Sequence, residues 1–235
     1  MISVVLPVYN EAENILRVPE LVEERFASLD DYEIIVVDDG SVDSSEQLVV
    51  SYSRSHPTVR LISYGRNRGK GYALRRGLLE ARGASVFFLD SDLDINIDGL
   101  NRFVEALGVH DVVIASKWAR GSKVCMPISR RVQSKVFNFV TRSLTGLDFR
   151  DTQVGFKAIR REALEKVRDE LRVDGFAFDV ELLLLAKVHG LSVAELPIEL
   201  NISEDTISIR DIWRMLLDLL DVSLRHRLRL GVKIS

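Results

Sequence analysis

Three carboxylates at alternating positions, Asp90, Asp92 and Asp94, follow directly on the apolar run Val86-Phe87-Phe88-Leu89. A short apolar run closed by turn-forming residues reads as a buried strand. Side chains alternate between faces along a strand, so the three acids point the same way wherever the extended backbone continues. Like charges this close repel. A hard divalent cation held by carboxylate oxygens relieves them, and such ions commonly share their coordination shell with phosphates. The competing reading is a polar turn that closes a strand, for which Asp and Ser are ordinary residues. The same logic returns upstream, where Ile34-Ile35-Val36-Val37 runs into Asp38, Asp39 and Gly40. A third cluster, Gly65-Arg66-Asn67-Arg68-Gly69-Lys70-Gly71, is glycine-rich and cationic. Ahead of a helix, Lys70 and the backbone N–H groups around it suit a phosphate; a plain glycine turn with a solvated lysine is the alternative.

The elements that must position these residues alternate. Strands are expected over residues 2–8, 33–38, 59–63 and 86–89, with helices between them. Asn10 is expected to cap the first helix, with Glu13 as its capping-box partner. Ile15, Leu16, Pro19, Leu21, Val22 and Phe26 supply that helix's apolar face. Asp43 or Ser44 opens the second helix, and the third runs to about Ala81. This alternation predicts an α/β doubly wound, mainly parallel twisted sheet flanked by helices. In such sheets ligands bind at the carboxyl ends of the strands. A dinucleotide fold would place Gly-x-Gly-x-x-Gly after the first strand; Pro7-Val8-Tyr9-Asn10-Glu11 stands there instead, and no Walker loop is present.

Pro7-Val8-Tyr9-Asn10-Glu11, Val37-Asp38-Asp39-Gly40-Ser41, Asn67-Arg68-Gly69-Lys70-Gly71 and Asp90-Ser91-Asp92, in this order, resemble the inverting family-2 glycosyltransferases. The resemblance implies a nucleotide-diphospho-sugar transferase (GT-A-like) fold with an Asp-x-Asp metal site. It implies that Pro7, Tyr9, Glu11 and Asp39 hold base and ribose. It implies that Asp90 and Asp92, with Ser91 between them, handle ribose and Mg²⁺ or Mn²⁺.

The chain has 235 residues, 46% of them hydrophobic and 29% charged. That suits one catalytic domain, residues 1–205, with a small extension, residues 206–235. A net charge of −3 gives no ground for nucleic-acid binding. Cys125 is the only cysteine, which excludes an internal disulfide and fits a reducing compartment. Met1 is followed at once by a strand pattern, so no leader peptide is read, and no apolar run approaches a membrane span. The charge is unevenly placed. Residues 117–147 contain no acid but seven bases: Lys117, Arg120, Lys123, Arg130, Arg131, Lys135 and Arg142. This points to an anionic partner, a phosphate group or a membrane surface; a solvated basic face is the alternative. Val132, Val136, Phe137, Val140 and Leu144 form an apolar helical stripe that faces either core or lipid. Further on, Asp179 and Glu181 open a helix, where the helix dipole is explanation enough for them. Residues 191–200 read as one last strand. Ile209, Ile212, Trp213, Leu216, Leu217, Leu220 and Leu224 recur at helical spacing before Arg225, Arg227, Arg229 and Lys233. They predict a C-terminal amphipathic helix that lies on a membrane, on its own domain or on a second subunit.

Ser134 to Asn138 within the basic helix, Asp151-Thr152-Gln153-Val154-Gly155-Phe156-Lys157 and Phe178-Asp179-Val180-Glu181 narrow the resemblance. They are similar to the polyprenyl-phosphate hexosyltransferases, the dolichyl-phosphate mannose synthases and dolichyl-phosphate glucosyltransferases. This implies a hexose moved from UDP-glucose or GDP-mannose to polyprenyl or dolichyl phosphate, peripherally at the cytoplasmic, inner face of a membrane. Lys117, Arg120, Arg130, Arg131, Ser134 and Lys135 are then the acceptor-phosphate residues. Lys70 joins the donor set, Asp94 joins Asp90 and Asp92 on the metal, and Asp151 is the candidate catalytic carboxylate, with a structural role as its alternative. One departure is that the loop after the last strand, Asn201-Ile202-Ser203-Glu204-Asp205-Thr206, is acidic where the group carries bases. The other readings are a transferase acting on a sugar hydroxyl and a non-catalytic, membrane-associated nucleotide-sugar-binding protein.

Overall fold

The structure, a computed structural model, describes residues 1–26, 31–90, 99–202 and 209–230. The first half is a run of strand–helix units: β1 (Ile2–Val8), α1 (Arg17–Phe26), β2 (Tyr32–Asp38), α2 (Ser45–Ser53), β3 (Val59–Ser63), α3 (Lys70–Glu80) and β4 (Ser85–Leu89). The second half holds α4 (Leu100–Leu107), β5 (Val112–Ser116), β6 (Lys123–Cys125), α5 (Ile128–Thr145), β7 (Phe156–Arg160), α6 (Arg161–Val167), α7 (Phe178–Val188), β8 (Val193–Pro197), β9 (Glu199–Asn201) and α8 (Ile209–Leu230).

Among the described residues seven strands form one sheet, in the order β3-β2-β1-β4-β7-β5-β8. Six of them run parallel, and β7 lies antiparallel between β4 and β5. The sheet is therefore mainly parallel, as expected, with one reversal that carries the start of β7 to the carboxyl edge. Along each strand the buried residues alternate between two cores, as the pleat requires. Val5, Ile35, Val37 and Phe88 face one core together with α3, α6 and α7. Val4, Leu6, Ile34, Val36 and Phe87 face the other with α1, α2 and α4. Helix α7 is buried all round from Phe178 to Ala186, which suits a helix packed between the sheet side and α6 and α8.

Pro7 explains where the sheet opens. The β1–β2 register runs on to Val8↔Asp38, but the β1–β4 register stops at Val5↔Phe88. Proline brings no N–H to a ladder, so past it β1 and β4 part. Strand order also reverses there, since β2 and β3 lie to one side of β1 and β4 to the other. That is a topological switch point, where open sheets bind ligands.

Two expectations fail. Asn10 does not cap α1, which begins only at Arg17. Asn10 is left-handed (φ 55°), and its side-chain oxygen accepts the Val42 N–H at 2.9 Å. Its partners lie in the loop after β2, so no capping box forms with Glu13. The last strand is not one strand either. It breaks into β8 and β9, and β9 leaves the main sheet to pair with β6. Helix α8 packs on α5 and α7 through Met215, Leu219 and Val222, while Trp213, Leu217, Leu220 and Leu224 face outward. Among the described residues no helix is long and apolar enough to cross a membrane.

Candidate active site

The carboxyl ends of β1, β2, β4 and β5 and the amino end of β7 meet at one edge. The loop after β1 is fastened to the loop after β2 by side chains. Asn10 N–H donates to Ser41 Oγ (2.9 Å), Glu11 N–H to Ser45 Oγ (2.9 Å) and Ala12 N–H to Asp43 (3.1 Å). Asp43 also accepts the N–H of Ser45 at 3.0 Å, satisfying the start of α2. Of the residues expected to hold base and ribose, Tyr9 stands exposed beside this latch. Pro7 is buried within β1 and contributes through the shape of the opening.

Asp39 is 3% exposed, and both its oxygens are used. It accepts from the Tyr64 hydroxyl and the Arg68 N–H on one oxygen and from the Gly69 N–H on the other, each at 2.8 Å. It therefore holds the turn into α3. Its neighbour Asp38 accepts the Ser41 N–H on both oxygens at a long 3.3 Å. Burial raises the Asp38 carboxyl above its ordinary range. Asp38 was not singled out by pattern because Asp39 carries the same chemistry one residue on.

The glycines of the 69–71 turn have a packing purpose. Gly69 is at φ 103°, and a Cβ on either Gly69 or Gly71 would run into the backbone of residues 173–175. Tyr72 N–H closes this contact by donating to the Asp174 carbonyl at 3.2 Å. Lys70, between those glycines, is 17% exposed. Its ammonium lies 2.6 Å from Asp90 Oδ1 and 3.7 Å from Asp179 Oδ2. Asp179 in turn binds Lys157 Nζ at 2.7 Å, and Lys157 also donates to the Val154 carbonyl at 2.6 Å. Burial pushes the Lys157 ammonium pKa down, while Asp179 beside it opposes the shift. Asp90 N–H donates to Gly155 O at 2.9 Å, and a side chain on Gly155 would occupy the space of the Asp90 carboxylate. Lys157 and Asp179 were legible only as motif residues; that they join Lys70 and Asp90 follows from the antiparallel insertion of β7.

Ser91, Asp92 and Asp94 lie outside the described residues. Among the described residues no three His, Cys, Asp or Glu side chains gather around one point. What is described fits a hard cation in its chemistry. Asp90 offers carboxylate oxygens at the strand end, and one of them already satisfies a positive charge.

Asp151 is 3% exposed and faces Lys117. The Lys117 ammonium is 3.1 Å from one of its oxygens, and Lys117 N–H and Gln153 N–H donate to it at 3.0 and 3.1 Å. Glu195 accepts the N–H groups of Arg150 (2.8 Å) and Asp151 (3.2 Å), and burial raises its carboxyl. Lys117 is thus an internal partner of Asp151, while Arg120 is exposed on the same loop. Arg130, Arg131, Ser134 and Lys135 ride on α5. Lys135 reaches over the Trp118 ring at 5.3 Å, which brings α5 to the loop after β5. A cavity of about 860 Å³ opens here, lined by Trp118, Phe139 and Leu147, by Lys135, Arg142 and Arg150, and by Asp148, whose carboxylate pairs with Arg142 at 2.5 Å. The stripe on α5 divides: Phe137, Val140 and Leu144 pack on the core, whereas Ile128, Val132, Val136 and Phe139 are exposed.

The sheet order and the opening at the switch point suit a ligand at the carboxyl edge, and comparison with known proteins places the chain among glycosyltransferases of the GT-A fold. The model of the family described as glycosyl transferase family 2 matches residues 3–168. Human dolichyl-phosphate beta-glucosyltransferase is 33% identical over 226 residues, 84% of this chain and 66% of that protein. AglD, a glycosyltransferase of Haloferax volcanii, is 34% identical over 221 residues, which cover 91% of this chain but 35% of AglD. Among solved structures, glucosyl-3-phosphoglycerate synthase of Mycobacterium tuberculosis, in complex with Mn²⁺, UDP and phosphoglyceric acid, shares the fold. It superposes with a TM-score of 0.75 at 23% identity, covering 100% of this chain and 80% of that one. The chain belongs to glycosyl transferase family 2.

Proposed function

We propose that the chain transfers glucose from UDP-glucose to the phosphate of a polyprenyl or dolichyl phosphate, with inversion at the anomeric carbon. The observation that carries this reading is the segment 150–155. Arg150 lines the cationic, aromatic cavity, Asp151 grips Lys117, and Gly155 lies against the Asp90 carboxylate. One short run thus joins an acidic edge suited to a nucleoside diphosphate to a basic cleft suited to a lipid phosphate. The relatives named dolichyl-phosphate beta-glucosyltransferase support glucose as the sugar. A β-linked product from an α-linked nucleotide donor requires inversion.

On this reading Asp90, with Asp92 and Asp94, would hold Mg²⁺ or Mn²⁺, which neutralises the diphosphate leaving group when bound. Asp38 and Tyr9 face the nucleoside, and Asp39 acts from behind by fixing the 68–70 turn. The acceptor needs little basic help: a phosphate monoester with a second pKa near 6 is largely dianionic at neutral pH. The protein's work is to bring two anions together, and Arg130, Arg131, Lys135 and Arg142 answer it. Asp151 is a positioning residue here, because its oxygens are occupied by Lys117 and Gln153.

The exposed stripe on α5 suits an anionic bilayer surface as the place where the lipid is met. Positions 128, 132, 136 and 139 fall within about 80° of one another around the helix. Arg131, Lys135 and Arg142 flank them on one side, and no acid interrupts residues 117–147. Apolar residues bordered by bases are how a helix lies in a headgroup layer. The enzyme would then work peripherally, at the cytoplasmic, inner face of a membrane.

The test is an assay of the purified chain with radiolabelled UDP-glucose or GDP-mannose, Mn²⁺ and polyprenyl phosphate. Organic-extractable, acid-labile β-glucosyl phosphate lipid is the expected product. Glucose found only on an added sugar hydroxyl would replace the reading. Flotation with phosphatidylserine vesicles checks the surface: Ile128→Glu with Val132→Glu should abolish co-flotation while leaving activity on a short, soluble polyprenyl phosphate intact.

A further inference from the structure

Asp90, Lys70, Asp179 and Lys157 form a file of alternating charges whose side-chain exposure falls from 25% to 17%, 4% and 1%. The inner pair is fixed. Lys157 is held by Asp179 at 2.7 Å and by the Val154 carbonyl at 2.6 Å. The outer pair, Lys70 and Asp90, stands at the sheet edge on a 2.6 Å contact. Between them, Lys70 has a second carboxylate within reach, Asp179 Oδ2 at 3.7 Å. Lys70 is the first residue of α3 and carries its ammonium on a flexible four-carbon stem.

Oxygen ligands sit about 2.0–2.6 Å from Mg²⁺ or Ca²⁺. An ammonium at 2.6 Å and a divalent ion on the same carboxylate bring two cations to within roughly 4–5 Å, where they repel, so each weakens the hold of the other. We infer that Lys70 is an exchangeable counter-ion. It neutralises Asp90, and it leaves for Asp179 and for a diphosphate oxygen when a divalent ion and a nucleoside diphosphate arrive together. This rests on the reading of the edge as the donor site, and it adds a consequence that reading does not contain. Lys70 opposes the divalent ion alone and favours the ion with the nucleotide, so it couples the two ligands. The buried Lys157–Asp179 pair supplies the seat to which Lys70 withdraws. Coupling of this kind is reciprocal, and each ligand tightens the other by the same factor.

The experiment measures Mn²⁺ binding to the whole chain by electron paramagnetic resonance of free Mn²⁺, with and without UDP, and UDP binding by calorimetry at saturating Mn²⁺. In the unaltered protein UDP should tighten Mn²⁺ binding by roughly five- to 150-fold, the usual span of such couplings. Lys70→Met should bind Mn²⁺ alone more tightly, by roughly fivefold or more, yet bind UDP with Mn²⁺ more weakly, so that the coupling collapses. Lys70→Arg keeps the charge and should keep weak binding of Mn²⁺ alone. A thermal melt controls for folding in each variant. If Lys70→Met leaves Mn²⁺ binding unchanged or weakens it, Lys70 is no competitor for Asp90 and the exchange is wrong. If the unaltered protein binds no UDP even with Mn²⁺, the donor-site reading itself fails, and the exchange falls with it.

Discussion

The two sides of the site are built on opposite plans. On the side of β1, β2 and α3, polar groups are satisfied internally: Asp39 by three donors, the loop after β1 by Ser41, Asp43 and Ser45, and Lys70 by two carboxylates. On the side of α5, bases and apolar side chains alike stand in solvent, with Phe139 71% and Ile128 81% exposed. A pre-formed polar cleft suits a small, rigid, highly charged molecule, since little has to be ordered on binding. A cationic face with exposed apolar residues suits an amphiphile that brings its own apolar cover. On the proposed reading, one chain meets a water-soluble donor and a lipid acceptor with two different kinds of surface.

Four substitutions sharpen or break that contrast, in falling order of effect. Asp90→Asn keeps the shape of the strand end but removes its charge. It should cut turnover by on the order of a hundredfold or more, as loss of one preorganised charge-stabilising group commonly does. Thermal stability should hardly move, and near-normal turnover would detach the acidic edge from the chemistry. Arg131→Ala should come next. A charge-assisted contact to phosphate is worth about 1.5–3 kcal/mol, so use of the lipid phosphate should fall roughly ten- to a hundredfold. Donor binding measured without acceptor should stay constant; if it drops instead, the division into two sides is wrong.

Asp39→Asn turns one acceptor oxygen into a donor that faces an N–H group or a hydroxyl. The 68–70 turn should loosen, raising the donor KM by about tenfold with a smaller change in kcat, because ground-state positioning is what is lost. Steady-state kinetics over UDP-glucose concentration decide it. The smallest effect is one of pH. Burial alone would raise the Glu33 carboxyl, but the Ser3 hydroxyl, the Arg82 N–H and Arg60 outweigh it and hold it below its ordinary 4.5. A carboxyl lowered on folding contributes stability above its unfolded value and loses it as pH falls through the folded one. Melting temperature should therefore decline as pH drops below about 4.5, and Glu33→Gln should flatten part of that decline. A melting curve of Glu33→Gln parallel to the unaltered one over this range would remove Glu33 from the acid response.

Most of the strand framework of β1, β2 and β4 was legible in the sequence because it is built from local pieces. Ile2–Val8, Tyr32–Asp38 and Ser85–Leu89 announce themselves as apolar runs, and each run ends in its own polar residues. What was not legible is where those residues look. Asp38 and Asp39 are alike in composition, yet Asp39 accepts three bonds of 2.8 Å where Asp38 accepts the Ser41 N–H at 3.3 Å. That difference depends on Tyr64 and the 68–69 backbone, some thirty positions away. Asn10 fits a helix cap by type, but a partner loop outbid the helix for its side chain. Lys117 counted as one base among seven until the fold set it against Asp151. Asp179 and Glu181 had a sufficient local explanation in the helix dipole. Only the packing shows Asp179 on Lys157, and Glu181 accepting from the Arg172 and Val173 N–H groups and from Arg225 of α8.

The place of β7 also bears on how the chain comes into being. β4 borders β1 on one side and β7 on the other, and β7 begins at Phe156, long after β4 ends at Leu89. During synthesis the β1 to β4 unit can assemble as it emerges, but the outer edge of β4 must wait for the chain beyond it. An unpaired, apolar edge such as Val86-Phe87-Phe88-Leu89 is a template for the wrong partner. Pairings of such long sequence separation close slowly. Of β1, β2 and β4, the strand that leads into Asp90 is therefore the last to be paired on both sides. A ribosome paused between the two segments would display it to chaperones and to other nascent chains alike.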